Sequence, residues 1–402
     1  MDKTVDATMV SEMEAELRNI LEFWANNTLD EIHEGFIGEM NAECFVKADA
    51  EKGAVLNARL LWTFSAAYNF FKEDKYLQLA DRAYNYLIQY FWDQENGGLF
   101  WSLNPDGTVK NNRKQAYAQG FGIYGFSEYY KASGNQESLD YATQLFQLIE
   151  THFYEPKHGG YIEALTNNWQ AMDDMRLSEK DANEPKSMNT HLHIIEPYTN
   201  LYRVWPDAAL KERIQHLIAV FRDKIIDSET AHFKLFFDLD WTSKSSIVSY
   251  GHDIEGAWLL NEAAHFIKDD ELLEQMKEVS IKMVDVTMVE GVDKDGSIFY
   301  ELEEDGHLDT DKHWWPQAEA MVGLLDAYQN TSDRIYLEAS TRVWNFIQQY
   351  MVDTEKGEWY WKVDVTGQPD NVPPKVGFWK CPYHNSRALM EAINRLKTLG
   401  YA

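Results

Sequence analysis

The chain has 402 residues, 45% of them hydrophobic and 14% aromatic, with a net charge of −29. That apolar content is ample for a large core, while the acidic balance repels phosphate backbones and argues against nucleic acid as a partner. Two cysteines, Cys44 and Cys381, are too few for a disulfide framework and favour a cytoplasmic location. The N-terminus, Met1-Asp2-Lys3-Thr4-Val5-Asp6, is charged and has no apolar signal core, and no apolar run is long enough to span a bilayer.

In chain order, a charged amphipathic helix is predicted at about 10–26 and ends at the turn His33-Glu34-Gly35-Phe36. A helix at 55–71 follows, richer in small and apolar residues. The next, at 76–91, spaces Tyr76, Leu79, Ala80, Ala83, Tyr84, Leu87 and Phe91 by three and four, and leads into Asn96-Gly97-Gly98-Leu99-Phe100-Trp101. The alternation then repeats. Apolar helices are predicted at 115–132, 187–203, 250–266, 315–330 and 382–396, and charged ones at 136–152, 208–225, 270–288 and 333–350. Further turns stand at His158-Gly159-Gly160-Tyr161, Phe233-Lys234-Leu235-Phe236-Phe237, Asp295-Gly296-Ser297-Ile298-Phe299-Tyr300 and Lys356-Gly357-Glu358-Trp359-Tyr360-Trp361.

The turns recur about every 62 residues, with one gap of roughly 75, which marks repeated supersecondary units. Helices that are apolar nearly all round are buried, and those with one charged face are solvated. The expected architecture is an all-α (α/α)6 barrel, one catalytic domain over 1–402, with short β-hairpins at one rim. The inner helices then run parallel, and their N-terminal ends converge on that rim.

The first turns of those inner helices carry Arg59, Tyr117, His193, His252 with Glu255, Trp314 with Trp315, and His384. One polar or aromatic group per helix is hard to explain by packing. His252 and Glu255 are three residues apart and share a helix face, so a carboxylate could fix the imidazole tautomer. His191 and His193 are two apart and point in different directions, which argues against chelation. Cys381 beside His384 is a weak nucleophile–base pattern and reads better as a small buried residue. Trp101, Trp314, Trp315, Trp359, Trp361 and Trp379 fall in or beside the rim turns, where indole faces suit stacking on sugar rings.

The strings Ser249-Tyr250-Gly251-His252-Asp253-Ile254-Glu255, Met188-Asn189-Thr190-His191-Leu192-His193 and Trp379-Lys380-Cys381-Pro382-Tyr383-His384 resemble the N-acylglucosamine 2-epimerase superfamily, most closely its cellobiose 2-epimerase branch. The resemblance covers nearly the whole chain. It implies inversion at C2 of the reducing-end glucose of β-1,4-linked disaccharides such as cellobiose, lactose and mannobiose, with no metal and no nucleotide. It further implies that His252 and His384 are the two bases, that His193 moves protons near O1 and O2, and that Arg59 holds the developing oxyanion. Glu255 is expected to orient His252. Tyr117, Asp181, Asn189 and Glu301 are expected to contact sugar hydroxyls, and Trp314, Trp315 and Trp379 to form the sugar-stacking wall. A monomer or weak homo-oligomer in the cytoplasm is expected.

Three other readings remain open from the residues: an (α/α)6 glycoside hydrolase, a related acylamino-sugar epimerase or aldose–ketose isomerase, and a non-catalytic sugar-binding module. Hydrolysis usually needs two carboxylates at a set separation, whereas this rim is rich in histidine.

Overall fold

Helical apolar spacing sorts the chain into inner and outer elements, and the computed structural model, which describes residues 7–401, shows them as an (α/α)6 barrel. The charged segment Met1–Asp6 lies outside the described residues. The outer helices are α1 (Ala7–Asn27), α3 (Asp74–Tyr86), α5 (Gln136–Leu148), α7 (Ala208–Val220), α9 (Asp270–Val286) and α11 (Arg334–Phe346). The inner helices are α2 (Ala54–Phe71), α4 (Ala116–Ser133), α6 (Met188–Val204), α8 (Tyr250–Phe266), α10 (Trp314–Thr331) and α12 (Tyr383–Thr398). Each inner helix packs on the next, and α12 packs back on α2 and on α1, which closes the ring. No described helix is long and apolar enough to cross a membrane.

The inner helices are apolar because they are covered on all sides: α2 is buried without interruption from Ala54 to Ala67, and α4 from Ala116 to Tyr129. Four outer helices, α5, α7, α9 and α11, start at side-chain caps. Asn135, Asp207, Asp269 and Asp333 each accept a backbone N–H from the first turn that follows. Five of the outer helices, α3, α5, α7, α9 and α11, end in a widened turn of i→i+5 type, as in Trp92 N–H to Leu87 O and Val352 N–H to Ile347 O.

The aromatic turns are then tied to the inner helices by two repeated devices. Counting from residues 54, 116, 188, 250, 314 and 382, the fourth residue of four inner helices, α4, α6, α8 and α10, faces outward and binds the backbone of a turn. Gln119 accepts from Leu99 N–H (2.7 Å) and donates to Leu99 O (2.9 Å); Gln317 does the same for Ile298. His191 accepts from Tyr161 N–H on Nε2 (2.9 Å), and Asp253 accepts from Phe233 N–H (2.8 Å). Tyr161 follows Gly160, whose φ is +82° and where a Cβ would strike Trp241 and His191.

The second device is a buried lysine two residues before the helix. Lys52, Lys114, Lys186 and Lys312 reach Asp30, Asp93, Glu155 and Asp293 at 2.7 to 3.2 Å; in the sixth repeat Lys380 holds that position and reaches Glu358 (2.7 Å), while Lys375, further back, reaches Asp353 at 2.6 Å. These acids also accept backbone N–H groups of the turn, as Asp93 does from Glu95 and Asn96. In the fourth repeat Val248 replaces the lysine, and His232 bonds Asp253 instead (2.7 Å).

The predicted rim hairpins are present as short strands. Glu301–Leu302 pairs with both Val248–Ser249 and Leu308–Asp309, which sets Glu301 beside the start of α8. In α6, Pro197 has no N–H to return to the His193 carbonyl, and His193 departs from helical geometry (φ −91°, ψ 17°). Gly120 of α4 packs against that freed carbonyl, where a Cβ would not fit.

Gln119→Leu keeps the volume but strands two buried backbone groups of Leu99. We expect it to lower the unfolding free energy by roughly 2–5 kcal/mol, read as a lower urea midpoint with unchanged slope.

Candidate active site

At the rim where the inner helices begin, a cavity of about 490 Å³ is walled by every residue to which the resemblance assigns a role, whereas Trp101 and Trp359 lie outside it. Tyr117 (α4), Asn189 (α6), His252 (α8), Trp314 and Trp315 (α10) and His384 (α12) come from first turns. Arg59, His193 and Glu255 do not. Each is the sixth residue of its helix by the count above, so the expectation of first-turn placement is corrected. They lie one turn deeper, at the cavity floor. Asp181, Glu301 and Trp379 enter from the connecting segments. The aromatic turns mostly support the wall from behind, but the last two contribute Tyr300 and Trp361 directly.

Of the three candidate histidines His193 and His384 are buried and His252 is half-buried, with His313 as a fourth histidine on the cavity wall, and loss of water depresses their basicity. His252 is lowered to about 4, and His193 and His384 fall well below the usual imidazole value, with the Arg59 charge adding to burial for the latter two. They are therefore neutral at pH 7. His193 Nδ1 lies 2.9 Å from Glu196 Oε2, and His384 Nδ1 lies 2.7 Å from Glu319 Oε1. With those carboxylates ionised, the proton sits on Nδ1 and leaves each Nε2 as a lone pair.

His252 differs. Its Nδ1 meets Ser249 Oγ at 2.8 Å, and its ring packs on Trp315 with centroids 4.6 Å apart. The expected His252–Glu255 hydrogen bond is absent among the described residues. Sharing a helix face was a necessary condition only; Glu255 lies nearer the barrel axis, where Arg387 Nη2 donates to its Oε1 at 2.8 Å.

Arg387 was not anticipated from the sequence, and neither were Glu196, Glu319 and Tyr383. Its guanidinium is buried on the axis. Nη2 also donates to Glu319 Oε1 (2.7 Å), and Nη1 donates to Glu196 Oε1 and to Tyr383 OH. Tyr383 OH donates in turn to Glu196, and Trp258 Nε1 donates to Glu319 Oε2 (3.1 Å). Burial lowers Arg387 to about 10, which still leaves it charged at neutral pH. The signals were in the sequence: Glu196 follows His193 by three, and Arg387 follows His384 by three, the same spacing as His252 and Glu255.

Glu255, Glu319 and His384 have ligand atoms close enough together to hold a metal ion. Arg387 Nη2 already occupies the Oε1 atoms of both carboxylates, so the donor set fits a guanidinium. Arg59 is held differently. It lies over the Phe121 and Tyr383 rings at 4.2 and 4.7 Å, donates to Tyr117 OH at 2.9 Å, and forms no ion pair among the described residues. Its charge is uncommitted. Cys381 Sγ lies 3.9 Å from Arg59, and burial pushes that thiol up, away from the thiolate a nucleophile needs.

The upper wall is acidic and aromatic. Burial raises Asp181, which accepts from Ser178 N–H and Oγ, and raises Glu301 to about 7. Asn189 Oδ1 has no partner among the described residues. Trp379 packs against Tyr117 (5.8 Å), and Trp314, almost wholly buried, packs against Trp361 (4.8 Å).

A family model for N-acylglucosamine 2-epimerase (GlcNAc 2-epimerase) matches residues 35–388. The chain belongs to this family. Within it, the chain is 46% identical over 391 residues to a cellobiose 2-epimerase from Bacteroides fragilis, covering 97% of this chain and all of that protein. The solved cellobiose 2-epimerase from Bacillus thermoamylovorans superposes with a TM-score of 0.92 at 42% identity, covering 96% of this chain and 99% of that one. A D-mannose isomerase from Marinomonas mediterranea is more distant, 24% identical over 401 residues, covering 96% of this chain and 97% of that protein.

Arg387→Met leaves three buried carboxylates without their shared cation. We expect a loss of roughly 3–5 kcal/mol in unfolding free energy, measured by urea denaturation at pH 7.

Proposed function

We propose that this protein epimerises C2 of the reducing-end glucose of β-1,4-linked disaccharides, converting cellobiose to glucosyl-mannose and lactose to epilactose, with mannobiose as a further substrate. The observation that carries the reading is the conjunction of neutral His193, His252 and His384 with an unpaired Arg59 in one cavity. Neutral imidazoles can take a proton from carbon, and an unpaired guanidinium can receive the negative charge that follows. The 46% identity to a cellobiose 2-epimerase supports the disaccharide branch over the mannose isomerases.

Inversion requires ring opening, removal of the C2 proton, and its return to the opposite face. The C2 proton is acidic only in the open-chain aldehyde, where the carbonyl delocalises the resulting charge. His252 and His384 act on the two faces of the planar enediolate, each through the Nε2 that its Nδ1 contact leaves free: one takes the C2 proton as a neutral base, and the other takes up a proton from solvent before delivering it to the opposite face. His193, backed by Glu196, moves protons at O1 and O2. Arg59 stabilises the oxyanion, and Tyr117, whose oxygen already accepts from Arg59, has its own O–H free to donate. Trp315 and Trp379 hold the reducing sugar by stacking, Trp314 closes the wall, and Asp181, Asn189 and Glu301 bind hydroxyls. This scheme uses side chains alone. We place the enzyme in the cytoplasm as one catalytic domain over 1–402, monomeric or weakly self-associating.

Hydrolysis is disfavoured by what the acids do. Glu196 and Glu319 are each bonded to Arg387 and to a histidine, which leaves neither free to serve as the paired carboxylate of hydrolysis.

Incubation of EDTA-treated protein with cellobiose in D2O should give a reducing-end mannose pattern with deuterium at C2 in the proton NMR spectrum. Free glucose would indicate hydrolysis, and a ketose would indicate isomerisation. Folded His252→Ala and His384→Ala should each lose roughly 10²–10⁴ in kcat; near-normal turnover by either would sink the two-base assignment.

The pH profile supplies a further check. His252 must be neutral to act as a base, so activity should hold at neutral pH and fall as pH drops through about 4.

A further inference from the structure

The floor of the cavity carries more negative than positive charge. Glu196 from α6, Glu255 from α8 and Glu319 from α10 all converge on the single guanidinium of Arg387 from α12. Glu391 of α12 adds its charge from below, and the other ionisable neighbours are Arg59 from α2, Tyr117 and Tyr124 from α4, His193 from α6, His252 from α8, and Cys381, Tyr383 and His384 at α12. The tyrosines and the thiol are pushed up by burial and the histidines are pushed down, so all of these are neutral at pH 7. Only Arg59 adds positive charge, and it makes no contact with the carboxylates close enough to count as an ion pair. A site this dry keeps a proton rather than an uncompensated carboxylate.

Hydrogen bonding shows which carboxylate keeps it. Glu196 accepts on both oxygens, from Arg387 and Tyr383 on Oε1 and from His193 on Oε2. Glu319 also accepts on both, from His384 and Arg387 on Oε1 and from Trp258 on Oε2. Glu255 accepts on Oε1 alone; its buried Oε2 has no partner among the described residues.

We propose that Glu255 is a carboxylic acid in the resting enzyme, protonated on Oε2, and that it donates this proton to the substrate oxygen that becomes charged when C2 is deprotonated. The second half rests on the epimerase reading above. In that step a histidine Nε2 takes the C2 proton, and the C–H electron pair forms the C1–C2 double bond as charge moves to O1. The Oε2 proton passes to O1, giving a neutral enediol and a Glu255 carboxylate facing Arg387. The first histidine then releases its proton to solvent and the second takes one up on Nε2; delivery of that proton to the opposite face of C2 returns the O1 proton to Oε2, so every group ends the turnover as it began. Glu255 is thus a catalytic residue in its own right, not the partner of His252.

Burial raises both Glu255 and Glu319, and the hydrogen bonds decide between them. Burial raises Glu255 to about 8, against the pull of Arg59. Burial also raises Glu319, and the Glu255 charge raises it further. That second contribution vanishes once Glu255 is neutral, and the donors on both Glu319 oxygens then hold it ionised.

The test is infrared spectroscopy of the full-length protein at pH 7 without substrate. A protonated-carboxyl C=O band is expected in the wild type, absent in Glu255→Gln, retained in Glu319→Gln, and lost as pH rises through about 8. No such band in the wild type, or a band removed by Glu319→Gln instead, overturns the proposal. If Glu255→Gln does not fold, the wild-type titration and the Glu319→Gln control decide it. This measurement needs no substrate, so it stands apart from the disaccharide assignment. Kinetically, wild-type turnover should decline above about pH 8. Glu255→Gln keeps an N–H donor but has nothing to titrate, so it should run roughly 100-fold slower with that alkaline decline abolished. An unchanged decline overturns the donor role.

Discussion

One buried guanidinium organises this enzyme. Three carboxylates could not be brought together on the dry axis of a helical barrel without a cation among them. Arg387 supplies it, and two of those carboxylates then fix the Nδ1 atoms of His193 and His384. The histidines point their other nitrogens at the cavity because their backs are held by acids, and the acids are held by Arg387. Neutral bases and an acidic floor can coexist because the charge is gathered at one point beneath the cavity.

Above that floor the electrostatic logic changes. Arg59 is flanked by aromatic faces and a phenol rather than by a carboxylate. Two arginines of the same ring therefore do opposite work. One is saturated and structural, and the other keeps its charge available. The distinction cannot be read from residue type, only from which side chains the ring places around each.

Much of the fold was legible from the sequence. The inner and outer helices fall within a few residues of where apolar spacing placed them, because each repeat is strongly periodic. The site residues were legible as a set, since Arg59, His193, His252 and His384 interrupt helices that are otherwise apolar or small. Their pairing was not. Spacing of three put Glu255 on the face of His252, but the same spacing also linked His193 to Glu196 and His384 to Arg387, and only the closed ring decides which acid meets which base. The lysine before each inner helix was present in the sequence, yet its partner lies in a turn some 20 to 30 residues earlier. Such a contact is invisible until the repeat folds back. The fourth repeat, where His232 and Asp253 replace the lysine pair, shows that the device can be exchanged without loss of the ring.

The split between fourth and sixth helix positions has a consequence for how this scaffold changes over time. Two residues along a helix turn the side chain by about 200°, so the residue that anchors a turn and the residue that faces the axis point opposite ways. Gln119, His191, Asp253 and Gln317 can be kept while Arg59, His193, Glu255 and Glu319 are exchanged, and the reverse also holds. Architecture and chemistry are thus written in separate registers of the same six helices. New reactions can arise on this barrel by substitution at the inward register alone, whereas insertion of a single residue between the two registers would damage both at once.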